Sequence, residues 1–353
     1  MNITFMIGNG FDLNLGLQTS YSHFLKYYLA HIENDNENIK CFKERISQQW
    51  ANWSDVELAL GKCTADFVGP TCDNDFFECY DNIYDSLSAY LTEEEMKFDT
   101  VNEKTLNTGM LHALSQWSQG FRAKRQDAIT NEIKKVPGGF VFNFIVFNYT
   151  YTLDKCIASI KNPQQIGYRH FGSSNIANSI GKIVHVHGYT DKDMILGVND
   201  VSQISNTDIY VDRLVFDTDR LVKIEANHLF EENTDEKAYE ILKNSDLVYV
   251  YGMSLGATDK LWWQRLGELI VKKPSLPVII YSYNAPSDPL HYHRFLHHEN
   301  RIRNKMEQYF HDDASGCSNN IHVTWNNIFS KLKNIVPQSQ ELSLSAPTIS
   351  STM

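Results

Sequence analysis

Asn2-Ile-Thr-Phe-Met-Ile-Gly-Asn-Gly-Phe-Asp-Leu13 is the stretch of this sequence that decides the fold. Its apolar run, Ile3 to Ile7, predicts a strand buried on both faces, as the strands of parallel sheets are. Gly8, Asn9 and Gly10 follow at the carboxyl end of that strand. Glycines there let the backbone turn sharply and approach a ligand closely, because no Cβ atom intervenes.

This glycine loop is suited to a nucleotide. A pyrophosphate accepts hydrogen bonds from bare backbone N–H groups and from a following helix N-terminus. An ordinary glycine-rich turn is the alternative, since Leu13 replaces the third glycine of the G-x-G-x-x-G fingerprint. Gly8, Asn9, Gly10 and the adjacent acid Asp12 are therefore candidate nucleotide-binding residues.

The composition is that of a folded globular chain. Of 353 residues, 42% are hydrophobic and 12% aromatic, which predicts a sizeable core in one large domain or two smaller ones. A formal net charge of −11 argues against a broad nucleic-acid surface but leaves room for one nucleotide in a local pocket. There is no apolar segment of membrane-span length, no signal-peptide pattern and no C-x-x-C pair. We expect a cytoplasmic protein with reduced thiols and no membrane partner.

Two further buried strands end in small or polar residues. Phe140 to Phe147 leads into Asn148, and Leu247 to Tyr251 leads into Gly252 and Ser254. Ligands of open α/β sheets bind outside the carboxyl ends of the strands. The sequence therefore predicts that these residues lie near the glycine loop.

Lys182 to Gly188 predicts another strand, with His185 and His187 on the same face because side chains alternate along a strand. A structural role and a catalytic or ligand role are about equally supported for this pair. A metal site would need a third ligand that the sequence does not identify. Leu276 to Ser282 predicts a fifth strand, with Asn284 just beyond its end.

The strands and helical patterns together predict a single α/β nucleotide-binding domain over residues 1–336. A large helical insertion is expected at about 33–137 and a smaller helical segment at about 201–244. Residues 337–353 are rich in serine and glutamine, and we expect a disordered tail.

Two clusters of polar residues fall within the predicted helices. Ser54 and Glu57 have the spacing of a capping box, so a cap and a solvated first turn are the favoured roles of Asp55 and Glu57, with a cleft wall as the alternative. The four histidines of His291–His298 lack the glutamate of the H-E-x-x-H zinc motif, so a solvated helix face is favoured over a metal site.

Six motifs follow one another between the N-terminus and about residue 285. They are Ile7-Gly-Asn-Gly-Phe-Asp12, Thr19-Ser-Tyr21, Trp53-Ser-Asp-x-Glu57, Phe147-Asn-Tyr-Thr150, His185-Val-His-Gly188 and Gly252-x-Ser-Leu-Gly-x-Thr-Asp259. Each is weak alone, but in this order they resemble the bacteriophage abortive infection protein AbiH family. The resemblance implies a role in antiphage defence.

The order of the strand-end motifs is also similar to that of sirtuins and of the sirtuin-like NAD hydrolases of bacterial antiphage defence. This resemblance implies a Rossmann-like (sirtuin/DHS-like) parallel sheet flanked by helices. It also implies NAD+ as substrate, with no further cofactor and no metal. By the same resemblance, Gly8 and Gly10 hold the pyrophosphate, Asn148 lies by the nicotinamide ribose, and His187 acts as base or polariser.

The adenosine side of the ligand falls, by the same resemblance, on Gly252 and Ser254, and the adenine ribose on Asn284. Phe147-Asn-Tyr-Thr150 departs from the Gln-Asn-x-Asp of sirtuins, so the acid that recognises nicotinamide is missing from its usual place. The zinc module of deacetylases is also missing. NAD+ cleavage at the nicotinamide N-glycosidic bond is therefore expected, and protein deacetylation is not.

The sequence is also compatible with two functions other than NAD+ hydrolysis. The first is a nucleotide-binding sensor without catalysis, whose partners would include a second copy of the chain or a phage-derived activator. The second is a metal-assisted nucleotide hydrolase that uses aspartates, namely Asp12, Asp154, Asp200 or Asp259.

Overall fold

The computed structural model of the protein describes residues 1–32, 35–69, 72–207, 209, 220–287, 289–310 and 320–337. The predicted disordered tail thus lies, apart from Pro337, outside the described residues. The same is true of part of the predicted helical segment at 201–244.

Eight strands form two sheets in this part of the chain. They are β1 (Asn2–Ile7), β2 (Val141–Val146), β3 (Tyr168–Phe171), β4 (Ser174–Ala177), β5 (Ser179–His185), β6 (Leu247–Tyr251), β7 (Val278–Tyr281) and β8 (Ile321–Thr324). Six strands pair in parallel in the order β5-β2-β1-β6-β7-β8, whereas β3 and β4 pair antiparallel. The predicted α/β fold with a Rossmann-like parallel sheet is confirmed.

The strand order creates a crevice at the carboxyl edge of the sheet. Numbered in chain order, the six parallel strands are arranged 3-2-1-4-5-6, the doubly wound order of dinucleotide-binding folds. The chain adds strands on one side of β1 first and then returns to add β6 on the other side. The crevice at this reversal, outside the carboxyl ends of β1 and β6, is where such sheets bind their ligands.

Twelve α-helices are present in the described residues. They are α1 (Gly10–Leu15), α2 (Tyr21–Ala30), α3 (Glu37–Gln48), α4 (Val56–Cys63), α5 (Cys72–Phe98), α6 (Glu103–Gln116), α7 (Ala123–Lys135), α8 (Thr152–Ala158), α9 (Lys223–Leu229), α10 (Thr234–Lys243), α11 (Lys260–Lys272) and α12 (Tyr292–Glu307). None of them is long and apolar enough to cross a lipid bilayer. Five helices, α3 to α7, occupy the stretch predicted as a helical insertion.

The apolar residues form three large clusters. Alternation along β1 directs Ile3, Phe5 and Ile7 into one cluster and Met6 into another on the opposite face of the sheet. A third cluster is built mainly from α2 to α5. It also contains Tyr149, which follows β2, so the insertion packs over the carboxyl edge of the sheet and covers the crevice there.

Two details of the sheet differ from the sequence predictions. The expected strand at Lys182–Gly188 is instead Ser179–His185, and Gly188, with φ +69°, turns the chain away. The β3–β4 hairpin was not predicted, since most of its residues are exposed and they contain no continuous apolar run.

Candidate functional site

One cavity of about 1180 Å³ opens at the carboxyl ends of the central strands. Pockets for small molecules and cofactors typically measure on the order of 300–1,000 Å³, so a dinucleotide has sufficient room. The structure brings all nine residues singled out by the sequence into its wall: Gly8, Asn9, Gly10, Asp12, Asn148, His187, Gly252, Ser254 and Asn284.

The two glycine loops pack directly against each other. The N–H of Gly10 donates to the carbonyl of Gly252 at 2.8 Å, and the N–H of Gly8 donates to that of Tyr251 at 2.9 Å. A Cβ atom on Gly10 would lie 2.4 Å from the Cα atom of Gly252. Glycine is thus required for loop packing, and these two N–H groups are already used within the protein.

Asn9 has a structural role in the same loop. Its side-chain amide donates to the carbonyl of Thr19 at 2.9 Å and accepts from the Thr19 hydroxyl at 2.6 Å. These bonds tie the glycine loop to the start of α2. The next residue, Ser20, caps that helix by accepting from the N–H of His23.

Asp12 is a buried carboxylate in the cavity wall. Its two oxygens accept hydrogen bonds from the hydroxyls of Thr150 at 2.7 Å and Thr152 at 2.6 Å. No lysine or arginine pairs with it among the described residues. Burial raises the pKa of Asp12 to about 6, although these hydroxyls act in the opposite direction. The carboxyl is therefore largely ionised at neutral pH and titrates close to it.

Asn148 presents a buried amide without a partner. The residue is 4% exposed, lines the cavity, and neither polar atom of its side chain has a hydrogen-bond partner in the described residues. The side chain is close enough to Asp12 to lower the pKa of that residue, without meeting hydrogen-bond geometry. A buried polar group without a partner costs about 1–3 kcal/mol. An unpaired amide in a cavity wall therefore indicates a ligand that would pair with it.

His187 lines the cavity as a buried, neutral imidazole. Its ring packs edge-on against Phe147 with centroids 5.7 Å apart and lies 6.2 Å from the ring of Tyr149. Burial, and next the charge of Lys223, hold the pKa of His187 well below its usual range. The imidazole can accept a hydrogen bond or polarise a neighbour, but it is a weak base.

His185 has different partners from His187. Its Nδ1 atom pairs with the backbone carbonyl of Asn148 at 3.0 Å, and its Nε2 atom pairs with Asp154 at 2.9 Å. His185 therefore holds in place the peptide that carries the unpaired amide of Asn148. The sequence predicted that the two histidines lie on one face of a regular strand. They contact different groups instead, because β5 ends at His185 and His187 lies beyond it.

The glycine-rich loop after β6 and the loop after β7 form the outer wall. Ser254 is exposed there, and Asn284 is exposed next to Tyr283, whose side chain is 77% exposed. Ser254 and Asn284 thus lie at the exposed side of the cavity.

Sequence reasoning missed a buried polar cluster at the opposite wall. The expected solvated first turn is wrong for Glu57, which is 5% exposed and lines the cavity. Its carboxylate accepts from the Lys223 ammonium at 2.8 Å and from the Tyr149 hydroxyl at 3.1 Å. Asp55 does cap α4, by accepting from the N–H of Leu58, although the capping-box spacing places the cap at Ser54, and it also lines the cavity.

The charges of this cluster shift one another's titration. Burial raises the pKa of Glu57 to about 7, despite the charge of Lys223. Burial alone would lower the pKa of Lys223, but Glu57, Asp259 and Asp55 outweigh it and raise the pKa. No signal in the sequence links Lys223 to residues more than 160 positions away.

Of the four aspartates proposed for metal-assisted hydrolysis, Asp12 and Asp259 line the cavity, whereas Asp154 and Asp200 do not. Asp154 is bonded to His185, and Asp200 caps the 3₁₀ turn Val201–Gln203, outside the cavity lining. No group of three His, Cys, Asp or Glu residues in the described part of the chain could hold a metal ion. Four histidines lie in or beside α12, and His298 Nε2 pairs with the Ser282 hydroxyl at 2.8 Å.

A comparison with protein families identifies the family of this chain. The sequence model of the family described as bacteriophage abortive infection AbiH matches residues 4–281. The matched region extends from β1 to the last residue of β7 and includes every candidate site residue except Asn284. No curated protein matches the chain.

Proposed function

The chain belongs to the bacteriophage abortive infection AbiH family and has the defence role of that family, and we propose that it acts by hydrolysing NAD+ at the nicotinamide N-glycosidic bond. The observation that carries the proposal is the unpaired, buried amide of Asn148 beside the carboxylate of Asp12 in a cavity large enough for a dinucleotide. The position of this cavity at the strand-order reversal of a doubly wound sheet supports the same ligand class.

The reaction requires a water molecule, a stabilised cation and a proton acceptor. Water attacks C1′ of the nicotinamide ribose, the C–N bonding pair leaves with nicotinamide, and the products are ADP-ribose, nicotinamide and one proton. Glycosyl transfers of this kind pass through an oxocarbenium-like ribose. The ionised carboxylate of Asp12 would stabilise that positive charge in a poorly solvated site.

Three side chains in the cavity would have different roles in this reaction. The amide of Asn148 would orient a ribose hydroxyl or the attacking water, which would satisfy its unpaired atoms. Asp12, whose pKa of about 6 is closer to neutral pH, would accept the proton. His187 remains neutral and would polarise or position the substrate, because its low pKa makes it a weak base.

The test is chromatography of NAD+ incubated with the purified protein, with and without extract of phage-infected cells as activator. We expect nicotinamide and ADP-ribose to accumulate, and Asn148→Ala and His187→Ala to reduce the rate by roughly 10²-fold or more, the range of positioned catalytic groups. Asn175→Ala and His170→Ala are matched controls, because both residues are exposed on the β3–β4 hairpin, outside the cavity lining.

Unchanged cleavage in both cavity variants would refute the assignment of these residues. Absence of cleavage under every condition would refute NAD+ hydrolysis itself. Calorimetry distinguishes the remaining sensor hypothesis, which requires tight binding of NAD+ or ADP-ribose without turnover.

A further inference from the structure

The glycine loop is not the part of the cavity that is available to a phosphate. The N–H groups of Gly8 and Gly10 donate to backbone carbonyls of the neighbouring loop, and the N–H of Phe11 donates to the carbonyl of Gly8 at 2.9 Å. Three of the amides that would otherwise surround a pyrophosphate are thus already satisfied. A nucleotide in this cavity needs another group to neutralise its phosphates.

The inner wall of the cavity repels phosphate. Asp12, Asp55, Glu57 and Asp259 all line it. Lys223, whose charge interacts with Glu57, Asp259 and Asp55, is bonded to Glu57 and to the carbonyl of Thr258 at 3.2 Å. Like charges at short range in a poorly solvated site are costly. The same wall is suited to the positively charged nicotinamide ring and to a cationic ribose.

The rim formed by the C-terminal part of the chain has the opposite charge. Lys305, near the end of α12, and Lys333, after the 3₁₀ turn Ser330–Leu332, line the cavity and are exposed. Among the described residues, they are the only lysines or arginines in its lining, and neither pairs with a carboxylate. Two unpaired ammonium groups at the mouth of a cavity in a chain of net charge −11 indicate an anionic ligand group.

Both lysines are carried by anchored segments. Met306, next to Lys305, is buried in the core. The N–H of Asn334, next to Lys333, donates to the carbonyl of Asn14 at 2.8 Å. The ammonium groups therefore extend from two anchored segments of the backbone.

We infer that Lys305 and Lys333 bind the phosphates of a nucleotide whose nicotinamide ribose lies toward Asp12 and Asn148, so that the adenosine half lies at the rim. The inference deepens the proposed function and rests on it only in requiring that the cavity bind a phosphorylated nucleotide. Tyr283 offers an exposed ring at this rim, and base–aromatic stacking is worth about 1–3 kcal/mol.

The test is calorimetric binding of ADP-ribose and of adenosine to the full chain. Lys305→Ala and Lys333→Ala should each weaken ADP-ribose binding by about 5- to 20-fold, because each removes one charge-assisted contact to phosphate. Adenosine affinity should be unchanged. Lys331→Ala is the matched control, since Lys331 is an exposed lysine on the adjacent turn that does not line the cavity. Added salt should weaken binding more in the unmodified protein than in the double variant.

The outcomes separate this inference from the proposed function. Lysine-dependent binding of ADP-ribose without NAD+ cleavage would support the inference and refute the hydrolase. Cleavage with ADP-ribose affinity unchanged in Lys305→Ala/Lys333→Ala would overturn the inference alone. An equal loss of adenosine and ADP-ribose binding, or no binding of ADP-ribose to the unmodified protein, would also overturn it.

Discussion

Asp12 has both carboxylate oxygens bonded to threonine hydroxyls and lies in the cavity wall beside the unpaired amide of Asn148. Its pKa of about 6 and the depressed pKa of His187 distinguish the two groups chemically. A general base works best when its pKa is near the working pH. At the scale of single residues, the carboxylate is therefore the better proton acceptor, and the imidazole is a neutral neighbour.

A first prediction concerns activity. Asp12→Asn should reduce NAD+ hydrolysis by about 10²- to 10⁴-fold, because the proton acceptor is lost. In the unmodified protein, kcat/KM should rise with pH through about 6 and then level off. Rates measured between pH 5 and 8, with the exposed Asp127→Asn as control, check both statements. A pH profile that Asp12→Asn leaves unchanged would argue against this role.

A second prediction concerns stability and does not depend on catalysis. Because the pKa of Asp12 is raised from 3.8 to about 6, the folded protein binds this proton more firmly than the unfolded chain. The resulting stabilisation is complete below about pH 4 and is lost as the pH rises through 6. Between about pH 4 and 6, the free energy of unfolding should therefore fall by up to about 3 kcal/mol more in the unmodified protein than in Asp12→Asn. Urea titrations at several pH values measure the difference.

At the scale of elements, the two glycine loops act as one unit. Gly252 adopts φ +69° and packs its backbone against that of Gly10, so the loops after β1 and β6 cannot separate without losing the hydrogen bonds between them. This contact defines the floor of the crevice at the strand-order reversal. The insertion helices supply the roof, since Glu57 of α4 and Leu87 and Leu91 of α5 line the same cavity.

A third prediction tests this contact. Gly10→Ala would place a methyl group 2.4 Å from a backbone atom of Gly252, where no side chain can yield. We expect the free energy of unfolding to fall by about 1–3 kcal/mol, as it does in overpacked cores. The strain outweighs the helix propensity of alanine, which is higher than that of glycine. Gly256→Ala is the control, because the nearest atom there is the Ser254 hydroxyl oxygen at 3.1 Å. Equal Tm values for the two variants would contradict the packing role.

At the scale of the whole molecule, the residues beyond the family match complete the same core. The match ends at residue 281, yet β8 extends the sheet beside β7. Leu332 and Val336 are buried in the cluster that contains β1. The rim that carries Lys305 and Lys333 therefore belongs to the folded unit that holds the cavity.

A fourth prediction follows from this packing. Leu332→Ala should lower the free energy of unfolding by about 2–5 kcal/mol, because Leu332 is fully buried against α6. Lys331→Ala, at an exposed neighbour on the same turn, should change it by less than about 0.5 kcal/mol. Urea unfolding followed by far-UV circular dichroism measures both, and a similar result for the two variants would show that the segment is peripheral.

The sequence by itself determined the local features of this protein. Apolar runs followed by glycine or asparagine predicted β1 and β6 almost to the residue, because burial on both faces leaves a continuous apolar signal. All nine candidate residues line one cavity, since parallel strands bring their carboxyl ends to one edge. The order of the motifs indicated the family that the comparison identified.

Only the tertiary structure decided which side chains became buried together. Glu57 has the local pattern of a helix start, and its burial against Lys223 depends on a contact across 166 residues. The hydrogen bonds from the Gly8 and Gly10 N–H groups to the loop after β6 likewise form only because β6 lies next to β1. Charge distribution in the cavity is set by such distant contacts. Local patterns cannot reveal them, because periodicity and capping report only on near neighbours along the chain.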